Sequence, residues 1–428
     1  MSKILIMFTM TYPFGKGEVF LANEYDAINK IYDKIYVFSL AVPNKYKLTY
    51  KLGEKWQVFR RNEMENKRKK RLDYFIDGLK FINDPDLIDE VRQNNKILAK
   101  MMAIYYYGRL QSYKQFIEKH LGNLSFDSND LVVIYSVWFL QFAQCSILLK
   151  RYLKKKYHCK VLSMSRAHRY DLYEYIYKAN YLPFRRYMLK NIDAVYPCST
   201  NGVEYLSNKY NEYKNKIKCS YLGSMDHGIN HIAPNVLFTI ITCSNIIPVK
   251  RVKLVAEALK LIEEHGIIDI QWLCVGDGMS KKEVVDFCKK NIKKIKVQFY
   301  GYLENEKLFD LYKTNRVDVF INVSSNEGLP MTIMEAQSEG IPVIATDVGG
   351  TNEIVKSDNG ILLPSNPTPD ELAKAILIFK NMSYEEHSKI RDSSRNNWAM
   401  YFDAKKNNVK FHKELIERLQ YDDLKGNI

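Results

Sequence analysis

Asn322-Val323-Ser324-Ser325-Asn326-Glu327-Gly328-Leu329-Pro330-Met331-Thr332-Ile333-Met334-Glu335-Ala336 is the stretch that decides the architecture of this chain. An apolar run ends near Val323, a polar Gly/Pro turn follows, and a helix starts near Met331. A buried strand that feeds a helix through a short turn is the repeating unit of a parallel sheet. The free amides of a helix start carry partial positive charge and suit a phosphate, and a glycine such as Gly328 lets a ligand approach the backbone. Glu327 lies before this helix and Glu335 about one turn inside it, so the two need not face each other as an acid/base pair. An ionised carboxylate offers two acceptor oxygens, which suits a vicinal diol.

The same alternation extends to both sides. Strand candidates at Leu237–Thr242, Ile270–Val275, Val297–Tyr300, Val317–Val323 and Pro342–Thr346 alternate with helical segments near Val252–His265, Lys281–Asn291, Glu306–Tyr312 and Met331–Glu339. The first half repeats the pattern: strands at Ile4–Thr9, Ile35–Leu40, Leu131–Tyr135, Lys160–Met164 and Ala194–Pro197, a helix from about Glu18, and a helical, basic, tyrosine-rich stretch from about Lys51 to Lys119. Leu131–Leu149 has no charged residue, but its polar interruptions and β-rich start favour a buried strand and helix over a membrane span. A length of 428 residues exceeds what one core serves. The expectation is therefore an α/β chain of two Rossmann-like, doubly wound domains facing across a cleft. Residues 1–230 form the first domain, 231–399 the second, and a helix at about 400–428 packs back on the first. The linker falls near Gly223–Asn235, where Gly, Asp, His and Pro break the periods.

The segment from Asn322 to Ala336 resembles the Glu-x7-Glu signature of the retaining glycosyltransferases of family 4, which have the GT-B fold. Gly340-Ile341-Pro342-Val343-Ile344-Ala345-Thr346-Asp347-Val348-Gly349-Gly350-Thr351-Asn352-Glu353-Ile354-Val355 continues the resemblance. It covers the second half well and the first in islands. It implies that Glu335 binds the donor ribose, that Glu327 contacts the sugar hydroxyls, and that the amides of Gly328, Leu329, Pro330, Met331 and Thr332 border the sugar and diphosphate, Pro330 as part of the turn.

Other segments join the site, all but the Gly15–Gly17 turn through the same resemblance. In Ser244-Asn245-Ile246-Ile247-Pro248-Val249-Lys250-Arg251 the family places an Arg and a Lys five apart on the diphosphate. Lys250 matches the Lys; Asn245 stands at the Arg position, and Arg251 is the substitute to test. Gly276, in Val275-Gly276-Asp277-Gly278, lies at the turn near the nucleotide, and Tyr302 and Leu303 belong to the loop whose backbone reads the base. Gly15-Lys16-Gly17, after the first strand, suits a phosphate or the acceptor, with a plain tight turn as the alternative. His168, in Ser165-Arg166-Ala167-His168-Arg169-Tyr170-Asp171, resembles the family histidine aimed at the donor sugar; a buried packing histidine is the other reading.

Composition narrows the class. Hydrophobic residues at 46% and charged residues at 26% describe a globular chain. A net charge of +15 favours anionic partners, and nucleic acid is not among those expected. Seven dispersed cysteines, with no Cys-x-x-Cys pair, argue for reduced thiols and against a zinc site. The N-terminus lacks the apolar length of a signal peptide, so the expected location is the cytoplasm. The basic run from Arg60 to Arg71, followed by Leu72, Phe75, Ile76 and Leu79, suits an anionic membrane on its inner face; a solvated charge run is the competing reading.

The function implied is retaining transfer of a hexose or hexose derivative from a nucleoside-diphosphate sugar, UDP- or GDP-linked, to a hydroxyl of a glycan or lipid-linked acceptor, in cell-surface polysaccharide or glycoconjugate synthesis. No separate cofactor and no metal are expected. A nucleotide-sugar 2-epimerase and a non-catalytic partner subunit of the same fold remain the alternatives.

Overall fold

The computed structural model describes residues 1–15, 17–63, 67–230 and 237–426. Lys16 of the glycine turn, residues 64–66 of the basic run and residues 231–236 of the expected linker lie outside it, as do the side chains of 67–69 and 421–426. The chain divides into two compact units: Met1–Ser220 with Lys405–Ile428, and Tyr221–Ala404.

In unit 1 six strands, β1 (Lys3–Thr9), β2 (Lys34–Pro43), β3 (Trp56–Glu63), β4 (Leu131–Ser136), β5 (Lys160–Ala167) and β6 (Ala194–Pro197), form a sheet in the order β3-β2-β1-β4-β5-β6. All neighbours are parallel. Unit 2 has β7 (Phe238–Cys243), β8 (Ile270–Val275), β9 (Lys296–Gly301), β10 (Val319–Asn322), β11 (Val343–Thr346) and β12 (Gly360–Leu363), in the order β12-β11-β10-β7-β8-β9, again all parallel. Numbered within each unit and read from the edge that holds the third strand, the two orders are the same, 3-2-1-4-5-6, the arrangement of doubly wound nucleotide-binding sheets.

The alternation of side chains across a strand explains why both faces are covered. Ile4, Ile6 and Phe8 of β1 enter one apolar cluster, while Leu5 and Met7 enter another. The second cluster also takes Phe411, Leu415, Ile416 and Leu419 from the C-terminal helix Ala404–Gly426. A buried polar cluster ties the same helix down: His412 Nε2 lies 3.0 Å from Glu24 Oε2, and His412 Nδ1 lies 3.2 Å from Tyr32 Oη. In unit 2, Trp272 of β8 is buried among Ile240, Ile321, Val255 and Leu259, and its indole N–H donates to Thr242 Oγ1 at 3.0 Å.

Three features differ from the sequence expectation. Trp56–Glu63, expected at the start of a helical stretch, is edge strand β3; Trp56 and Phe59 are buried, and aromatic and β-branched residues fit a pleated surface better than a helix. The helix expected from Glu18 begins as a 3-10 turn, Val19–Glu24, with Glu18 outside it. Residues 223–230, the described part of the expected linker, belong to unit 2: Asn230 N–H donates to the Glu339 carbonyl at 2.9 Å, and Arg391 Nη2 to the Asn230 carbonyl at 2.6 Å. The uncharged Leu131–Leu149 stretch is β4 and the start of helix Gln141–Tyr157, and among the described residues no helix is long and apolar enough to cross a membrane.

The shared topology fixes where chemistry can sit. The crossovers leave β1 and β4 in opposite directions, and likewise β7 and β10, so a crevice opens outside the carboxyl ends of each pair.

Candidate functional site

In unit 2 the crevice is made by the segment after β7, Ser244–Arg251, and the segment after β10, Val323–Pro330. Backbone contacts join them: Ser325 N–H donates to the Val249 carbonyl at 2.8 Å. At the junction Lys250 Nζ meets Glu327 Oε1 at 2.5 Å, with side chains 22% and 10% exposed. Asn322 closes β10 and donates to the same carboxylate oxygen from Nδ2 at 3.3 Å. Glu327 is thus held from two sides in a largely buried position.

The peptide of Glu327 is fixed as well. Gly349 has φ +57°, and a Cβ there would lie 2.1 Å from the Glu327 carbonyl oxygen; only glycine allows the loop after β11 to lie this close. Gly350 N–H donates to the Gly328 carbonyl at 2.7 Å. Beyond Gly328, the nearly buried Leu329 and Pro330 lead into helix Met331–Ser338, where Met331 and Thr332 are half-buried. First-turn amides of a helix have no intrahelical acceptor and point at whatever lies before it.

Glu335 sits in this helix, and burial pushes its carboxyl up to about 7. Some of its surface is still open, so it is a desolvated acid at the edge of the crevice. Cys243, at the end of β7, ties it to the rest: the thiol is pushed up to about 12, by burial first and then by Glu335, with Lys250 acting in the opposite direction. Glu335 and Lys250 therefore both act electrostatically on the same thiol. The switch point of unit 2 gathers a cation, two carboxylates and a helix start.

Not every sequence candidate joins it. Arg251, the expected substitute for the missing diphosphate arginine, has its guanidinium engaged by the neighbouring loops. Its backbone is left-handed at φ +49°. Nε donates to the Val323 carbonyl at 2.6 Å, Nη2 to the Ser324 and Ser365 carbonyls, both at 2.9 Å, and Nη1 to Asn366 Oδ1 at 3.0 Å. This guanidinium is a staple between loops. Asn245 is exposed, and its carbonyl accepts the Ile247 N–H at 2.9 Å. Gly276 (φ +135°) has its Cα face against protein: a Cβ would meet the Ser244 carbonyl oxygen at 1.8 Å, so the close approach here is to the loop after β7. Tyr302 is 60% exposed and Leu303 half-buried, beside the end of β9.

Unit 1 presents the equivalent crevice between the segments after β1 and β4. Gly15 turns the chain there; its N–H donates to the Lys47 carbonyl at 3.2 Å and the Tyr46 ring lies against it. Gly17 faces Thr11 Oγ1. His168 follows β5, its ring between Phe20 and Trp138 with centroids 5.0 and 4.9 Å away. Burial, then the nearby Arg166, push its imidazole down to about 3, against the pull of Glu24 and of a hydrogen bond to the Val137 backbone. It is therefore neutral at any ordinary pH, and among the described residues the buried Nε2 has no hydrogen-bond partner.

Sequence reasoning missed two residues. Asn322 was legible as a buried polar residue closing an apolar strand. Glu18, expected at a helix start, is instead buried and accepts from three successive backbone amides. In the basic run, Arg60 and Arg61 reach backbone carbonyls of unit 1, and Lys70 pairs with Glu63 at 3.1 Å, so that part of the run is an internal brace. Arg71, Leu72, Ile76 and Leu79 are exposed.

Comparison with known proteins gives the geometry a setting. Residues 231–397 match the family described as Glycosyl transferases group 1. The chain is 22% identical over 328 residues to the UDP-N-acetylglucosamine–peptide N-acetylglucosaminyltransferase GtfA subunit of Limosilactobacillus reuteri, a match covering 74% of this chain and 61% of that protein. Among solved structures it is similar to a glycosyltransferase from Rickettsia africae, with a TM-score of 0.64 at 14% identity and 98% of each chain covered. It is also similar to Anabaena Alr3699/HepE in complex with UDP and glucose, with a TM-score of 0.60 at 15% identity, covering 97% of this chain and 99% of that one. The structural likenesses carry the fold, two parallel α/β units of the GT-B type.

Proposed function

We propose, from the match of residues 231–397 to the glycosyl transferases group 1 family, that the protein moves a hexose or hexose derivative from a UDP sugar to a hydroxyl of a glycan or lipid-linked acceptor, with retention at the anomeric carbon, in making a cell-surface glycan. The observation that carries this reading is the convergence of Lys250, Glu327 and Glu335 at the switch point of unit 2. UDP is preferred to GDP because the GtfA subunit is named for a UDP-linked donor and Alr3699/HepE is solved with UDP.

Each residue then has a task. The leaving diphosphate gains negative charge as the glycosidic bond to the donor breaks. Lys250 and the first-turn amides of helix Met331–Ser338 stabilise that charge from fixed positions, at little reorganisation cost. The ammonium has three N–H donors, so it can keep its contact with Glu327 and still reach a phosphate oxygen. Glu327, steadied by Lys250 and Asn322, holds the sugar hydroxyls. Glu335 takes the two ribose hydroxyls, whose hydrogen bonds favour its ionised form. With both glutamates holding hydroxyls, the acceptor attacks from the face the phosphate leaves, and the phosphate takes the acceptor's proton. Acceptor recognition is assigned to unit 1, with His168 as a neutral hydrogen-bonding group. An anionic membrane surface is a further partner, supported by exposed Arg71 beside exposed Leu72, Ile76 and Leu79.

The deciding experiment is calorimetry with UDP and GDP, followed by a donor panel scored for nucleotide release with NMR of the product's anomeric proton. UDP binding and an α-product from an α-donor are expected; no binding of either nucleotide sinks the proposal. Asn245 at the diphosphate-arginine position and the commitment of Arg251 to backbone carbonyls favour one second reading, a nucleotide-binding subunit without turnover. Binding without nucleotide release under any donor and acceptor would select it.

A further inference from the structure

We propose that Glu18 is a built-in anionic ligand: its carboxylate fills an amide nest at the switch point of unit 1, the place where a doubly wound sheet otherwise receives a phosphate, and so positions the loop after β1 together with Trp138. The nest consists of three successive N–H groups just past the end of β1. Met10 N–H donates to Oε1 at 2.9 Å, and Thr11 N–H and Tyr12 N–H both donate to Oε2 at 2.7 Å. Trp138, from the loop after β4, donates its indole N–H to Oε1 at 2.6 Å, and Thr11 Oγ1 lies 3.4 Å from Oε2. Glu18 itself is 3% exposed.

Successive backbone amides that converge on one point form an anion-binding concavity. Here the anion is covalently part of the chain, so the concavity needs no ligand and admits none. The loop it shapes is braced on the other side too: Ala41 N–H donates to the Met10 carbonyl at 2.9 Å, and Thr9 Oγ1 and Ser39 Oγ donate to the Tyr12 carbonyl at 2.7 and 2.5 Å. Trp138, fixed by Glu18, forms one wall of the His168 ring. Glu18 is thus a positioning residue that sets the β1 turn and, through the indole, the orientation of His168. With this nest filled, the proposed place for a nucleotide diphosphate is in unit 2; the acceptor readout below rests on the glycosyl-transfer reading.

The test is chemical rescue in the full chain. Glu18→Ala empties the nest, and formate is the probe that can refill it. Expected results are a saturable rise in the unfolding temperature of Glu18→Ala with formate, measured against equal chloride, and no such rise in the wild type. The acceptor KM of Glu18→Ala should rise roughly ten-fold, the scale of losing hydrogen bonds to a charge, and recover with formate, while UDP affinity stays within about two-fold because unit 2 is untouched. A Glu18→Ala protein that responds to formate no more than to chloride overturns the inference. Glu18→Gln keeps the shape and loses the charge; wild-type stability and acceptor KM in that variant overturn it as well, even where Glu18→Ala fails to fold. Absence of UDP binding by the wild type would defeat the functional reading, while the formate response would still decide the role of Glu18.

Discussion

Each sheet places a carboxylate at its switch point, after the fourth strand in unit 2 and after the first strand in unit 1, and the two are used in opposite ways. At the switch point of unit 2, Glu327 meets Lys250, whose ammonium is still partly open, and a second acid, Glu335, stands nearby with its charge opposed by burial. At the switch point of unit 1, Glu18 is enclosed and its oxygens are taken up by three amides and an indole. One crevice leaves donors and acceptors open to a ligand; the other satisfies its own. Topology provides the place, and side-chain satisfaction decides whether a ligand is received there.

The contrast breaks first at Lys250. Lys250→Ala should lower kcat by about 10²–10³, the cost of losing one fixed donor at a developing charge, with a smaller change in UDP affinity; wild-type turnover would mean that unit 2 is as closed as unit 1. Glu335→Ala comes next. Losing hydrogen bonds to a charged acceptor should weaken UDP binding about 10–100-fold, read by calorimetry, and unchanged affinity would place the ribose elsewhere.

A pH titration sharpens the same point. Free Glu335 is held up to about 7 by burial. Ribose hydroxyls stabilise the anion, so bound Glu335 has the lower pKa and binding releases a proton. UDP affinity should therefore rise by about ten-fold from pH 6 to 8 and level off above, as a single group titrating near 7 requires. Glu335→Gln should flatten that rise. The stability linkage runs the other way: the folded state holds this proton more tightly than the unfolded chain, so stability from this group is full at low pH and falls as pH climbs toward 7.

How much of this is legible in the sequence follows from what each residue depends on. The strand-turn-helix from Asn322 to Ala336 is legible because an apolar run, a Gly/Pro turn and a helix start are local signals, and the parallel alternation gives the α/β class. The role of Glu18 is not, since it depends on three amides that only the folded loop brings together and on Trp138, which is 120 residues away. Residues 56–63 look helical in sequence because a charged, aromatic edge strand has no clean period. Asn230 looks like linker because its partners, Glu339 and Arg391, are distant in sequence.

Arg251 gives the smallest effect and the finest discrimination. In sequence it is a cation beside Lys250 and so a second diphosphate ligand; in the fold its nitrogens are aimed at the Val323, Ser324 and Ser365 carbonyls and the Asn366 side chain. The two roles separate in Arg251→Lys. A lysine keeps the charge but has a single nitrogen, so it cannot span carbonyls presented to a planar fork. If Arg251 is a staple, the variant should lose about 1–3 kcal/mol of stability through unmet carbonyls, seen as a lower unfolding temperature, while UDP affinity at low temperature stays within about three-fold because the retained charge is remote from the phosphate. If it were a diphosphate ligand, stability would hold, and affinity and turnover would fall instead, since a point charge replaces a bidentate donor. The second pattern would return Arg251 to the open crevice of unit 2 and require the loops after β7 and β10 to rearrange when the donor binds.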